Sequence, residues 1–374
     1  MTKGLVLLGL WLGGISSSQA EYKLNFQEPV TAVAREIYDL HMLVIWICLG
    51  IAAVVFTMMI YSIINHRKSK GAVASDFHES AKVEVAWTII PFIILIAVAI
   101  PATSTLIDIE DTSDSDLTVK VTGMQWKWKY DYGDGVSYIS SLNAEHNRAR
   151  QRNSGIDVTQ IKNYLLEVDN ELVIPVNKKV RFLVTSDDVI HSFWMPAFGV
   201  KKDAIPGYVN ETWTRVEKTG IYRGQCAELC GKDHAFMPIV IRVVSDADYK
   251  IWFVRKKAEA EIAAAEASAD KVWSKAELMA KGEDIYKGKG GCFGCHGIKG
   301  EGIATFPKLV GSAVTTGPAA EHMKTVVKGR PGTAMAAYAN QLNDLELAAV
   351  ITYERNAWGN NASIVQPADI KASR

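Results

Sequence analysis

The chain carries the stretch Gly224-Gln225-Cys226-Ala227-Glu228-Leu229-Cys230-Gly231-Lys232-Asp233-His234-Ala235-Phe236-Met237-Pro238. Two thiols, an imidazole and a thioether fall within twelve positions of it. These are soft or borderline ligands that suit copper, and their spacing fits one tight loop. Cys226 and Cys230 can face each other across that loop, and a second loop can add His191. Zinc is the competing reading, because Cys226, Cys230, His234 and His191 also make a Cys2His2 set. Met237 weighs toward copper, since zinc rarely takes a thioether. The usual host of a copper electron carrier is an all-β domain outside the cytoplasm, so the flanking sequence has to decide.

The flanks read as β structure. Leu117–Gly123, Tyr164–Val168, Leu172–Val176 and Val180–Val184 alternate or run apolar, are rich in β-branched residues, and are bounded by Gly, Pro, Asn and Asp. Further strands are expected at Thr212–Val216, Gly220–Gly224 and Pro238–Val244. Many short strands with turn signals between them predict a β-sandwich or barrel. Glu145–Asn163 is polar and charged and reads as a surface loop.

Upstream lie the apolar segments. Residues 1–20 combine Lys3, a short apolar core (Leu5–Leu12) and a small-residue end, Ser16-Ser17-Ser18-Gln19-Ala20, which reads as a secretory signal cut after Ala20. Two longer runs, about 40–64 and 83–107, are each long enough to span a bilayer. Pro91 and Pro101 lie inside the second run, where neighbours in a membrane can re-satisfy the backbone. The connecting loop holds Arg67, Lys68, Lys70 and Lys82; the segment after the second run holds Asp108, Glu110, Asp111, Asp114 and Asp116. Positive-inside asymmetry therefore puts the loop in the cytoplasm and both chain ends outside, as a cleaved signal also requires. Cys48, alone in the first run, reads as a small buried apolar residue. Glu84 opens the second span: it is either an interfacial carboxylate or a group for proton uptake. Lys+Arg and Asp+Glu are both 41, so there is no basic surplus to support a nucleic-acid partner.

Downstream, residues 255–273 are rich in Ala, Glu and Lys and read as a semi-rigid helical linker. Then comes Gly290-Gly291-Cys292-Phe293-Gly294-Cys295-His296-Gly297, which contains Cys-x-x-Cys-His, the attachment signature of a c-type haem. Cys292 and Cys295 would take the two vinyl groups, and His296 would fall under the iron. Met335 is the sixth-ligand choice and Met323 the runner-up; a Met ligand raises the potential. Helix-like runs, Ser274–Gly288 and Asn343–Asn356, bracket this unit.

With these motifs in hand, residues 21–254 resemble subunit II of haem–copper cytochrome c oxidases. The likeness rests on the Gly224–Pro238 loop and on Val189–Gly207 around His191. It rests also on the aromatic stretch Gly123-Met124-Gln125-Trp126-Lys127-Trp128-Lys129-Tyr130 and on Val83–Pro91. The C-terminal unit, with Phe306-Pro307-Lys308-Leu309 and Met335, is similar to class I cytochromes c, although Ala336 stands where those often have Pro. The resemblance implies a multidomain chain. It would comprise the signal (1–20), an N-terminal segment with a two-helix transmembrane hairpin (21–110), a cupredoxin-like all-β domain (111–254), the linker (255–273) and an all-α cytochrome c domain (274–374). By the same resemblance Cys226 and Cys230 bridge a dinuclear copper centre, His191 and His234 each bind one copper, and Met237 is a weak ligand. Glu228 gives its backbone carbonyl to copper and its side chain to a magnesium site shared with subunit I. Trp126 is the point of electron entry, Glu84 the mouth of a proton path, and Asp187 and Asp188 lie near the donor face. The implied function is electron transfer from covalent haem c to the copper pair and on to haem in subunit I, where oxygen is reduced to water. The implied partners are subunit I, other oxidase subunits and the lipid bilayer, with a soluble or membrane-bound cytochrome or a quinol-oxidising complex as donor. The implied place is the inner membrane of a bacterial cell, with both redox domains on the periplasmic side. The alternative is a membrane-anchored copper and haem carrier serving another reductase.

Overall fold

A computed structural model of the protein describes residues 25–74, 76, 78–151, 154–268 and 271–374. The leader expected over residues 1–20 lies outside them. The first two elements are long helices, α1 (Ala32–Asn65) and α2 (Ala81–Glu110). Each carries an apolar window, with mean hydropathy of 2.7 and 2.5, and none of either window is buried in the protein. A helix apolar on all sides needs lipid or other helices around it. Cys48, expected inside, is exposed on α1 because this helix turns its side chains outward rather than into a core.

Both outer ends of the hairpin are stitched to the next domain. Thr31 caps α1 through its Oγ1, which accepts from the Ala34 amide and donates to the Phe198 carbonyl at 2.9 Å. At the end of α2, the Trp213 indole donates to the Asp108 carbonyl at 2.9 Å and Lys202 pairs with Glu110.

The middle of the chain is a β-sandwich. Its strands are β1 (Leu117–Met124), β2 (Lys127–Asp131), β3 (Ser137–Ser140), β4 (Leu172–Pro175) and β5 (Val180–Ser186). They continue as β6 (His191–Met195), β7 (Val200–Ala204), β8 (Asn210–Thr214), β9 (Gly220–Cys226) and β10 (Ile239–Val244). One sheet has the order β3-β2-β1-β5-β8 and the other β4-β10-β9-β6-β7. Trp128, Phe182, Phe193, Leu172 and Ile174 fill the space between them. The strand expected at Tyr164–Val168 does not form. Asn163 and Leu165 take positive φ, which turns the chain, and only Val168 makes a bridge, to Leu142. Glu145–Asn163 is not a plain surface loop either. A short helix, α3 (Ala144–Ala149), buries His146 and Ala149 and delivers Arg150 to Asp233. Strands β2, β3 and β7 were not anticipated, and β6 only through the Val189–Gly207 resemblance, because these short runs carry few β-branched residues.

Helix α4 (Asp246–Ser268) leaves the last strand directly. Its Trp252 and Phe253 pack on Tyr132 and Tyr138, with Trp252 and Tyr132 ring centres 5.1 Å apart. Its later turns are exposed and charged, as the linker composition predicts. The C-terminal unit is helical: α5 (Lys275–Lys287), α6 (Phe293–His296), α7 (Ala313–Thr316), α8 (Ala319–Lys328), α9 (Asp344–Asn356) and α10 (Pro367–Ser373). Capping boxes start α5 (Ser274 with Glu277) and α9 (Asn343 with Glu346). Its core, Leu278, Tyr286, Leu347, Ala348, Val350 and Ile351, is separate from that of the sandwich.

Candidate metal centre

The copper-type loop leaves β9 at Cys226 and returns through a short 3-10 turn, His234–Phe236, into β10. The two sulfurs lie 3.9 Å apart. Each faces one imidazole: His191 Nδ1 is 3.9 Å from Cys226 Sγ, and His234 Nδ1 is 3.6 Å from Cys230 Sγ. Met237 Sδ lies 3.5 Å from Cys230 Sγ, and the Glu228 carbonyl oxygen 3.4 Å from Cys226 Sγ. Six donor atoms of the expected types therefore converge, while the Glu228 side chain points outward and is exposed. His191, Cys226 and Cys230 are buried and mutually within 4.8 Å.

The surrounding fold fixes these donors. His191 begins β6 against β1, where Gly123 leaves room for it; a Cβ on Gly123 would come 2.8 Å from the His191 ring. Trp128 Nε1 donates to the Met237 carbonyl at 3.2 Å, and the Ala227 amide to Ser192. The Cys230 thiol hydrogen-bonds to Cys226. That bond holds the Cys226 thiol far below its ordinary range and pushes the Cys230 thiol up.

Asp188 is the residue whose role the sequence did not reveal. Its Oδ1 accepts from His191 Nε2 at 2.8 Å, and its Oδ2 accepts from the Gln125 amide at 2.7 Å. The carboxylate thus fixes the tautomer and leaves Nδ1 free for a metal. The Asp188 carboxylate points inward onto His191 and the Gln125 amide. Asp188→Asn should lower copper affinity about 10–100-fold without unfolding the sandwich. Competition titration against a copper chelator checks this; unchanged affinity would show that packing alone orients His191.

The haem motif lies on α6 and the turn before it. His296 Nδ1 donates to the Pro307 carbonyl at 2.8 Å, which leaves Nε2 as the free ligand atom. Burial pushes both the Cys292 and Cys295 thiols up, so they stay neutral in their crevice. The crevice has a volume of about 570 Å³ and is lined by Cys292, Cys295, His296 and Met335. Met323 is not among its lining residues and packs instead against the helical core. A volume of this size and an axial histidine with one nitrogen free fit a flat apolar cofactor.

Part of the crevice wall comes from the sandwich. Gln125, Trp126, Lys127, Asn147 and Arg150 all line it. Lys127, 4 % exposed, donates to the Lys289 and Gly290 carbonyls at 3.2 and 3.4 Å and sits 5.0 Å above the Tyr338 ring. Burial pushes its ammonium down to about 8. Trp126 stands between the two sites: it lines the crevice, and its Nε1 donates to the Cys230 carbonyl at 3.2 Å. Glu84 is brought to neither. It lies in the first turn of α2, about 39 Å along the helix from the end that meets the sandwich.

Fold and site together define a membrane-anchored redox protein with a soft-metal loop and a c-type cytochrome unit. Family models agree segment by segment. Residues 19–104 match the transmembrane domain of cytochrome c oxidase subunit II, and residues 117–244 match its periplasmic domain. Residues 277–353 match the cytochrome c oxidase, cbb3-type, subunit III model. The probable cytochrome c oxidase subunit 2 of Rickettsia bellii is 39% identical over 256 residues, 68% of this chain and 90% of the relative. That of Rickettsia prowazekii is 40% identical over 64% of this chain and 74% of its own length. Among solved structures, the periplasmic domain of subunit II of cytochrome oxidase from Bradyrhizobium japonicum is 48% identical. It covers 40% of this chain and 98% of its own, with a TM-score of 0.35. The chain belongs to the cytochrome c oxidase subunit II family, with a cytochrome c domain at its C-terminus. It is a subunit of the oxidase complex, anchored by two apolar helices that carry a periplasmic domain.

Proposed function

We propose that this chain is the subunit that relays electrons from its own covalent haem c to a dinuclear copper centre and on to haem in subunit I. Cys292 and Cys295 would hold the haem, with His296 and Met335 as axial ligands. Cys226, Cys230, His191, His234, Met237 and the Glu228 carbonyl would hold the copper pair. When bound, the haem supplies a one-electron couple, and the thiolate-bridged coppers supply a delocalised one that rearranges little.

The observation that carries this reading is the place of Trp126. One edge of it lines the haem crevice and its ring nitrogen is bonded to the loop at Cys230. This side chain is therefore in contact with both candidate sites, which makes it the natural electron entry. Units 21–110, 111–254, 255–273 and 274–374 fit the division of labour, and the tether raises the local concentration of the cytochrome at the copper loop. The exposed Glu228 side chain is free to reach a magnesium site shared with subunit I. Glu84, at the other end of the hairpin, would open a proton path there. A periplasmic placement at the bacterial inner membrane follows from the charge asymmetry of the hairpin, and the donor would be a cytochrome or a quinol-oxidising complex.

The test is metal analysis, haem staining after denaturation and an EPR spectrum of the purified full chain. Two coppers with a mixed-valence signal and one haem that resists acid–acetone extraction are the expected result. One zinc without copper, or a haem that extracts, would overturn the corresponding half.

A further inference from the structure

Lys232 sits between two of the candidate copper ligands, Cys230 and His234, yet its side chain turns toward the cytochrome unit. Its Nζ donates to the Gly294 carbonyl at 2.7 Å, and Gly294 lies between the two haem cysteines. The ammonium also stands 5.6 Å over the Trp126 ring and 5.2 Å over the Phe306 ring, one aromatic from each domain. Its fourth neighbour, the Asp233 carboxylate, is 3.2 Å away.

Asp233 is held in turn. Arg150 grips it with both terminal nitrogens at 3.2 Å, stacks 4.2 Å over Phe236, and donates through Nε to Asn147 Oδ1 at 2.6 Å. The pair is largely buried, with 13 % and 9 % of the side chains exposed. A bidentate pair of this kind is rigid. Gly294 faces this pair at ordinary contact range: a Cβ there would lie 3.6 Å from Asp233 Oδ2 and 3.9 Å from Arg150 Nη2. The polar insertion carrying α3 therefore braces the base on which Lys232 stands.

We propose that Lys232 is a positioning residue, a clamp that seats the chain's own cytochrome domain on the copper loop, with Arg150 and Asp233 as its brace. The partner this surface fits is the Cys-x-x-Cys turn in cis, which offers a backbone carbonyl and an aromatic ring rather than a carboxylate. One hydrogen bond then spans the two redox loops, from a residue two positions after Cys230 to one immediately before Cys295. The significance of this bond for electron transfer rests on the relay reading above; the clamp itself is a statement about docking.

The experiment is hydroxyl-radical footprinting of the full chain in detergent, read at Trp126 and Phe306, with exposed Tyr208 as the internal reference. Lys232→Met keeps the aliphatic stem and removes the ammonium. It should shift the balance between docked and released cytochrome on the order of tenfold, the worth of one charge-assisted hydrogen bond. Oxidation of both rings then rises while Tyr208 stays constant. Lys232→Arg should restore protection. Arg150→Gln, which leaves the ligand-bearing loop intact, should open the same two rings and guards against a misfolded copper loop in the first variant. Equal footprints in all four proteins would overturn the clamp. An opened footprint with unchanged haem-to-copper reduction would uphold the clamp and show that the relay does not depend on it; an opened footprint with no haem-to-copper reduction in any of the four proteins would uphold the clamp and overturn the relay.

Discussion

Cys226→Ser is expected to take the copper content from two per chain to one or none and to abolish the mixed-valence EPR signal. Cys226 Sγ lies between His191 Nδ1 and Cys230 Sγ, 3.9 Å from each, and beside the Glu228 carbonyl. A serine oxygen can fill that space but stays protonated near neutral pH and is a hard donor, so it cannot serve as a soft anionic bridge. The remaining set, Cys230, His234, Met237 and His191, can hold one metal at most with a single thiolate. The sandwich should survive, because serine is close to cysteine in size and the core that Cys226 borders is filled by Trp128, Phe182 and Phe193. Retention of two coppers with an unaltered signal would show that Cys226 does not bridge. Loss of the thermal transition along with the metal would show instead that it is a structural residue.

The sequence carried this site unusually well because the donors in the Gly224–Pro238 loop are local. Four of the site's five side-chain ligands lie within twelve residues and inherit their convergence from one turn, so spacing alone nearly builds the site. The haem motif is legible for the same reason. Asp188 was harder to read: its function depends on which ring nitrogen of His191 it reaches, and that is set by the β6 register rather than by the three-residue separation. Lys232 was harder still. In sequence it is one more charge in a polar turn; its partners Gly294 and Phe306 are more than sixty positions away and belong to another domain.

The β-domain was legible where strands alternate and not where they face two buried layers. β6 is buried at His191, Ser192, Phe193 and Met195, so it has no polar face to reveal a period of two. β7, Val200–Ala204, has three charged residues in five and reads as a loop, yet it pairs along its whole length with β6. The expected strand at Tyr164–Val168 had the right composition, but positive φ at Leu165 breaks it. Within 145–163, Asn147 and Arg150 line the crevice shared with the cytochrome unit, a use of polarity that looks the same as solvent exposure in one dimension.

Gly282→Val is expected to abolish haem attachment while leaving the copper loop loaded. Gly282 is the point where α5 crosses α9. A Cβ there would lie 2.2 Å from the Ala349 carbonyl oxygen and 2.6 Å from Tyr353 Cβ. The first of these atoms is helical backbone and cannot swing aside, so the two helices must separate. Overpacking of this kind costs about 1–3 kcal/mol and sometimes more, against a domain stability of roughly 5–15 kcal/mol. Valine at a backbone contact belongs at the severe end, and alanine should give a milder form of the same defect. The damage reaches the haem motif directly. Tyr286, four residues along α5, donates to the Gly297 carbonyl at 2.7 Å and so anchors the end of the Cys-x-x-Cys-His turn to the crossing. The sandwich shares no core residue with this crossing, and its own cluster is filled by other side chains. Haem staining of the full chain, with EPR of its copper, reads both outcomes at once. A valine variant with full covalent haem would show that the helices part without cost to the crevice. Simultaneous loss of haem and copper would show that residues 111–254 do not fold independently of residues 274–374, and that the clamp at Lys232 is part of one cooperative unit rather than a contact between two.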